Sequence, residues 1–195
     1  MWKDKFLGYT IILASGSPRR KQFFEDMGLQ FEIRLKEVDE VYPQELKASE
    51  ISDYLAELKA GALKNSLKGN EILITSDTVV WHKGVSLAKP SDSKEAFEML
   101  KALSNGWHQV ITSVSFTTNS SQKTVNHTTK VKFKELTDDE ILYYVRNFRP
   151  YDKAGGYGIQ EWIGLIGIEE IQGSYTNVVG LPTQLVYKTL MDMVG

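Results

Sequence analysis

An apolar run over Tyr9–Ala14 ends in Ser15-Gly16-Ser17-Pro18, and two arginines, Arg19 and Arg20, follow at once. A turn from a strand into a helix N-terminus suits an anion, because unpaired backbone N–H groups point outward and the helix dipole favours negative charge. Ser15 and Ser17 add hydroxyl donors, and Gly16 lets a ligand approach the backbone. A guanidinium grips phosphate oxygens through paired hydrogen bonds. The same residues also make a plain N-cap followed by two solvated arginines, and the pattern alone does not choose. It is not a Walker A loop, which needs G-x-x-x-x-G-K-[ST].

Other stretches bear chemistry. Asp77 follows the run "ILIT" in Thr75-Ser76-Asp77-Thr78, where a carboxylate can hold a divalent metal or take a proton from water. A turn aspartate bonded to its own backbone is the plainer alternative. Lys59 lies at the edge of an apolar helix face, and an inward lysine needs an anion as partner. Lys89 precedes Pro90. The segment Asp152–Gln160, "DKAGGYGIQ", sets glycines between an acid, Lys153 and the amide of Gln160. It lacks the third glycine of a dinucleotide fingerprint and fits a ligand-approaching loop or a structural bulge equally. His82, His108 and His127 have no metal-ligand spacing and receive no role. No G-x-S-x-G elbow supports serine-hydrolase chemistry.

The elements that must position these groups follow from periodicity. Tyr9–Ala14 reads as a buried strand, Pro18 opens a helix ended by Gly28, and Phe31 with Ile33 begins a second strand. "KEVDEVYPQEL", holding Asp39 and Glu40, reads as an acidic loop. Ile51, Leu55, Leu58 and Ala62 mark the inner face of a helix starting at Ser49. "EILITSDTVVWHKGVSLAKP" reads as a strand interrupted at Thr75–Thr78, followed by a hairpin turning at Lys83-Gly84. Asp92 with Glu95, and Thr137 with Glu140, spell capping boxes. A long hairpin turns at Asn119–Gln122, "WIGLIGIEEIQGS" alternates, and a last helix follows Pro182. The order indicates a mixed-sheet α/β protein in a single domain over 1–195.

Composition narrows the function. A formal charge of −2 shows no global attraction to nucleic acid, so no nucleic-acid partner is expected. The absence of cysteine excludes disulfides, thiolate catalysis and a sulfur-based zinc site. The N-terminal apolar stretch is broken by Gly8, Tyr9 and Thr10 and fits a buried strand better than a secretory signal. No apolar run nears the roughly 20 residues that span a bilayer. The chain reads as cytoplasmic.

Taken in order, "LASGSPRR" (13–20), Asp39-Glu40, "LAELKA" (55–60), "SDTVV" (76–80) and "AKP" (88–90) resemble the Maf family. "EAFEMLKALSNGWHQVITSV" (95–114), "DKAGGYGIQ" (152–160) and "GSYTNVVGLP" (173–182) extend the resemblance almost end to end. These are the septum-formation-protein-like nucleotide pyrophosphatases. The resemblance implies a Maf/ITPase-like α/β fold, a mixed sheet with flanking helices and two lobes around a central cleft. It implies Mg²⁺- or Mn²⁺-dependent hydrolysis of nucleoside triphosphates to the monophosphate and pyrophosphate. By motif, Asp77 is the proton acceptor, Asp77 and Glu40 hold the metal, and Glu40 and Lys89 share the catalytic site. Ser15, Ser17, Arg19, Arg20, Lys59 and Lys153 would bind the phosphates. Arg19, Thr78 and Gln160 fall at substrate-selecting positions, and Thr78 with Gln160 resembles the branch acting on dTTP and UTP. The alternatives are 7-methyl-GTP as substrate, or a non-catalytic nucleotide-binding protein linked to septum formation. A homodimer is one option for assembly. Ala88, Gly156 and Glu161 depart from the pattern. Glu161, which stands where glycine is common, sets a charge beside a specificity position.

Overall fold

A computed structural model describes all 195 residues, Met1–Gly195. Its strands are β1 (Thr10–Leu13), β2 (Phe31–Ile33), β3 (Glu71–His82), β4 (Val85–Leu87), β5 (Trp107–Thr117), β6 (Gln122–Phe133) and β7 (Ile168–Gln172). They form one mixed sheet in the order β2-β1-β3-β5-β6-β7, with β4 paired to β3. The flanking helices are α1 (Pro18–Asp26), α2 (Ser49–Lys64), α3 (Ser93–Leu103), α4 (Asp138–Phe148), α5 (Trp162–Gly167), α6 (Tyr175–Val179) and α7 (Thr183–Val194). None is long and apolar enough to cross a membrane. The chain divides into two compact units, Met1–Asp77 with Thr112–His127 and Gly180–Gly195, and Thr78–Ile111 with Thr128–Val179.

In the first unit β1 lies parallel to both β2 and β3, with Ile11 opposite Phe31 and Ile72. A parallel strand is buried on both faces and reads as a continuous apolar run, as Ile11-Ile12-Leu13 does. Alternation then sorts the side chains. Ile11, Leu13, Ile72 and Ile74 join Phe24 of α1 and Val186 and Leu190 of α7 on one face. Ile12 and Leu73 meet Ala60 and Leu63 of α2 on the other.

Three expectations about elements are corrected. Thr75–Thr78 does not interrupt the strand, because β3 runs unbroken through it. Its polar groups are satisfied sideways: Thr75 Oγ1 donates to the Ala56 carbonyl at 2.6 Å, and Asp77 meets Lys59. The inner face of α2 is rotated from the one expected: Ile51 and Leu55 are buried as expected, but Ser52, Ala56, Ala60 and Leu63 join them while Leu58 and Ala62 are only partly buried. "WIGLIG" is helical rather than extended: Ile163 and Ile166, three apart, pack on the core while Leu165 is 80% exposed. One reciprocal cap is also altered, since Glu95 accepts from the N–H and hydroxyl of Ser91 instead of from Asp92. The Thr137–Glu140 box forms as expected.

In the second unit, Val80, Leu100, Leu103, Phe133, Ile141, Tyr144 and Ile163 share one core. Gly164 sits so close to the preceding loop that a Cβ there would lie 1.8 Å from the Ile159 carbonyl oxygen.

Two tests follow from the packing. Gly164→Ala forces helix and loop apart and should cost about 3 kcal/mol in urea unfolding, at the upper end of ordinary overpacking. In the first unit Arg34 pairs bidentately with Glu71 at 2.9 and 3.1 Å. With the Lys68 N–H, this guanidinium holds the Glu71 carboxyl down to about 2, against an ordinary 4.5. A depressed carboxylate stabilises the fold above its unfolded pKa, and that contribution is lost as pH falls through its folded one. The stability difference between wild type and Glu71→Gln should therefore be full above about pH 5 and vanish towards pH 2.

Candidate active site

In the first unit the β1–α1 turn is built as its residues dictate. Pro18 occupies the first helical position, where its missing N–H costs nothing, and Ser17 is the N-cap, its hydroxyl facing the Arg20 N–H at 3.5 Å. The Ser17 N–H donates to Ser15 Oγ at 3.2 Å. Arg20 is not a solvated arginine. Its Nε donates to the Gly180 carbonyl and one terminal nitrogen to the Ser76 carbonyl, both at 2.9 Å, with Ser15 Oγ at 3.4 Å. One guanidinium thus ties the turn to the residue before Asp77 and to the chain entering α7. Gly16 is exposed, lies outside the left-handed region, and has nothing within 4 Å of where a Cβ would stand. The chain itself does not require glycine there.

Around Asp77 the charges converge. Lys59 Nζ lies 2.6 Å from Asp77 Oδ1 and 3.0 Å from Glu40 Oε1. The geometry derives from period matching: Thr75 and Asp77, two apart on β3, meet Ala56 and Lys59, three apart on α2. Asp77 is 8% exposed, and burial pushes its carboxyl above its ordinary value, with the Lys59 ammonium pulling against that shift. Two carboxylates turned to one cation are what Mg²⁺ asks of a protein, since it takes one or two carboxylates and completes its shell with water and phosphate oxygens. No cluster of three or more His, Cys, Asp or Glu residues forms a dedicated metal cage. The donor set therefore fits a metal shared with a phosphate ligand.

The remaining candidates lie in the second unit. Lys89 is exposed and Pro90 buried. The Gly155 N–H donates to the Ala88 carbonyl at 3.1 Å, so the "AKP" and "DKAGGYGIQ" segments run side by side. Gly155 has φ +70°, and a Cβ there would meet Val80 at 2.9 Å. The glycine-rich stretch is thus a closely packed loop, buried from Gly155 to Ile159, from which Gln160 emerges exposed. Thr78 is partly buried on β3, next in the chain to Asp77. Lys153 is 9% exposed and pairs with Asp152 at 2.7 Å and Glu161 at 3.1 Å.

Ser15, Ser17, Arg20, Glu40, Lys59 and Asp77 are thereby linked in the first unit, with Arg19 partly exposed at the head of α1. Lys89, Lys153 and Gln160 lie on adjoining segments of the second. Two participants escaped the sequence reading: Gly180, an anchor of Arg20, whose only signal was its place in "GSYTNVVGLP", and Tyr144, which looks like an ordinary core aromatic. His108, which received no role, has its Nε2 2.6 Å from Tyr157 Oη, and burial pushes it down to about 3, so it is neutral.

Comparison with known proteins finds relatives of this chain. Residues 10–193 match the family described as Maf-like protein. A Flavobacterium johnsoniae protein named dTTP/UTP pyrophosphatase is 58% identical, with 100% of both chains covered. A Christiangramia forsetii protein of the same name is 55% identical, again over 100% of each, and one from Phocaeicola vulgatus is 50% identical over 95% of this chain and 96% of its own. Among solved structures, a nucleoside-triphosphatase / dITP/XTP pyrophosphatase from Mycobacterium abscessus aligns over 93% of each chain at 14% identity and a TM-score of 0.47.

The Lys59 geometry can be checked directly. Lys59→Met leaves Asp77 without its nearest cation. It should lower unfolding stability by about 3 kcal/mol, the usual cost of breaking a buried pair. It should also move the Asp77 carboxyl further up in an NMR pH titration, because the group opposing the burial shift is gone.

Proposed function

The chain belongs to the Maf family, and from that premise we propose that it is a nucleoside triphosphate pyrophosphatase acting on dTTP and UTP. The products are the monophosphate and pyrophosphate. The observation that carries the reading is the buried Asp77 carboxylate, 2.6 Å from Lys59, with Glu40 on the same ammonium. A carboxylate in that place can accept the proton of an attacking water, which hydrolysis uses.

In this reading Asp77 and Glu40 would hold Mg²⁺ or Mn²⁺. When bound, the metal supplies charge neutralisation on the phosphates and lowers the pKa of water. The chain's own residues do the rest. Lys59 favours the ionised form of Asp77 against the pull of burial, and that form can accept the proton of the attacking water. The water oxygen adds to a phosphorus of the α–β bridge, the bridging P–O bond breaks, and pyrophosphate leaves. Ser15, Ser17 and Arg19 at the head of α1 are assigned to the phosphates, as are Lys89 and Lys153. Gly16, which the chain does not need for its own packing, supports close approach of a phosphate to that turn. Arg20 holds the turn against Ser76, fixing the distance from the phosphates to Asp77. Thr78 and Gln160 are assigned to the pyrimidine, whose edge an amide can meet as donor and acceptor. We take the protein as one functional domain over 1–195 acting on free nucleotides in the cytoplasm, and as a monomer or homodimer that light scattering would separate.

The test is pyrophosphate release from dTTP, UTP, CTP and 7-methyl-GTP with Mg²⁺ or Mn²⁺. Turnover of dTTP and UTP is expected, falling by at least about 10²-fold in Asp77→Asn, as loss of a general base does. Preference for 7-methyl-GTP would overturn the assignment of Thr78 and Gln160. A folded protein that releases no pyrophosphate from any of the four would overturn the activity.

A further inference from the structure

Glu161, the charged departure beside Gln160, does not carry a free charge next to the specificity position. Its carboxylate accepts a hydrogen bond from Tyr144 Oη and lies 3.1 Å from Lys153 Nζ. Tyr144 in turn accepts from the Gly158 N–H at 3.0 Å, and its ring is fully buried. A Cβ on Gly158 would stand 2.9 Å from the Glu161 carboxyl carbon and 3.1 Å from Lys153 Cε. The carboxylate and the lysine stem therefore lie directly against the loop backbone. The Glu161 N–H closes the loop by donating to the Gly158 carbonyl at 3.0 Å. Behind it, Gly164 presses on the Ile159 carbonyl, and its N–H donates to the Glu161 carbonyl at 2.9 Å.

These contacts hold Gly158 and Ile159 from both sides and leave Gln160, between Ile159 and Glu161, with its side chain exposed. We propose that Glu161 is a positioning residue for substrate selection, clamped by Lys153 and Tyr144 so that the Gly158–Gln160 backbone presents the Gln160 amide in one orientation. The inference rests on the assignment of Gln160 to the base. It also adds to the part played by Lys153, whose ammonium is engaged by Asp152 and Glu161 and so helps to hold the loop. A glycine at 161 would leave the Tyr144 hydroxyl and the Lys153 ammonium without their shared acceptor. An amide would keep the shape of the side chain and lose the ion pair.

The experiment compares wild type with Glu161→Gln and Tyr144→Phe, using two readouts. The first is amide hydrogen exchange at Gly158 and at residue 161, whose N–H groups bond to Tyr144 Oη and the Gly158 carbonyl. The second is binding of α,β-imido-dTTP and α,β-imido-dCTP, which cannot be cleaved at the α–β bridge. Glu161→Gln is expected to melt within a few degrees of wild type, to exchange at least about tenfold faster at both amides, and to lose about tenfold of its preference for the thymine analogue. Tyr144→Phe should release the Gly158 amide at least as far. Wild-type exchange rates in folded Glu161→Gln would overturn the clamp. Faster exchange with undiminished thymine preference would overturn its role in selection. A Gln160→Ala variant separates the two layers: if it keeps the full thymine preference, the assignment of Gln160 fails, while the exchange result still decides the clamp.

Discussion

A carboxylate taken out of water needs a cation beside it, and the first unit is organised around meeting that need for Asp77. Lys59 is the cation, and to reach Asp77 it must be carried on the face of α2 that packs against the sheet. This fixes the rotation of α2, and with it which of its small residues go inside. It also lets β3 run through Thr75, Ser76 and Asp77 without breaking. A sheet interior tolerates polar side chains when a neighbouring helix offers them partners, as the Ala56 carbonyl and the Lys59 ammonium do here. The arrangement is conditional on charge, since removing either partner strands the other.

The same logic explains why some of the molecule was legible in the sequence and some was not. Ile11–Leu13, the turn into Pro18 and the strands of the second half follow from local rules of periodicity and capping. Lys59 was legible as an anomaly, a lysine at the edge of an apolar face, and its partner was identifiable in kind but not by position. The unbroken course of β3 was hidden, because a Thr-Ser-Asp-Thr run has the composition of a turn and only tertiary partners reveal otherwise. The helix over Trp162–Gly167 was hidden for a related reason. Its apolar residues satisfy both periods over so short a stretch, and exposure of Leu165 decides between them only once the core is in place.

The second unit uses glycine differently from the first. At Gly16 the missing side chain leaves open space, whereas at Gly155, Gly158 and Gly164 it lets other groups of the chain press against the backbone. Glycine content alone does not distinguish these uses, which is why "DKAGGYGIQ" could be read as a loop for a ligand or as a bulge. The structure shows a closely packed loop with one exposed amide at its end. The Glu161 departure is intelligible in the same way, as a charge balanced by Lys153 and shared with Tyr144.

The first unit is drawn from three separated stretches of chain, and its core lacks Leu181, Val186 and Leu190 until the last of them is present. Arg20, near the beginning, finds an acceptor only at Gly180. During synthesis, the β1–α1 turn and the cluster around Asp77 therefore wait, incompletely anchored, until the second unit's residues have been made. Contacts of such sequence separation must meet a large loop-closure entropy before they are rewarded, so they form late and slowly. The face of β1 and β3 that carries Ile11, Leu13, Ile72 and Ile74 stays without its α7 cover through that interval. The ribosome-bound chain thus exposes apolar surface that the completed fold buries.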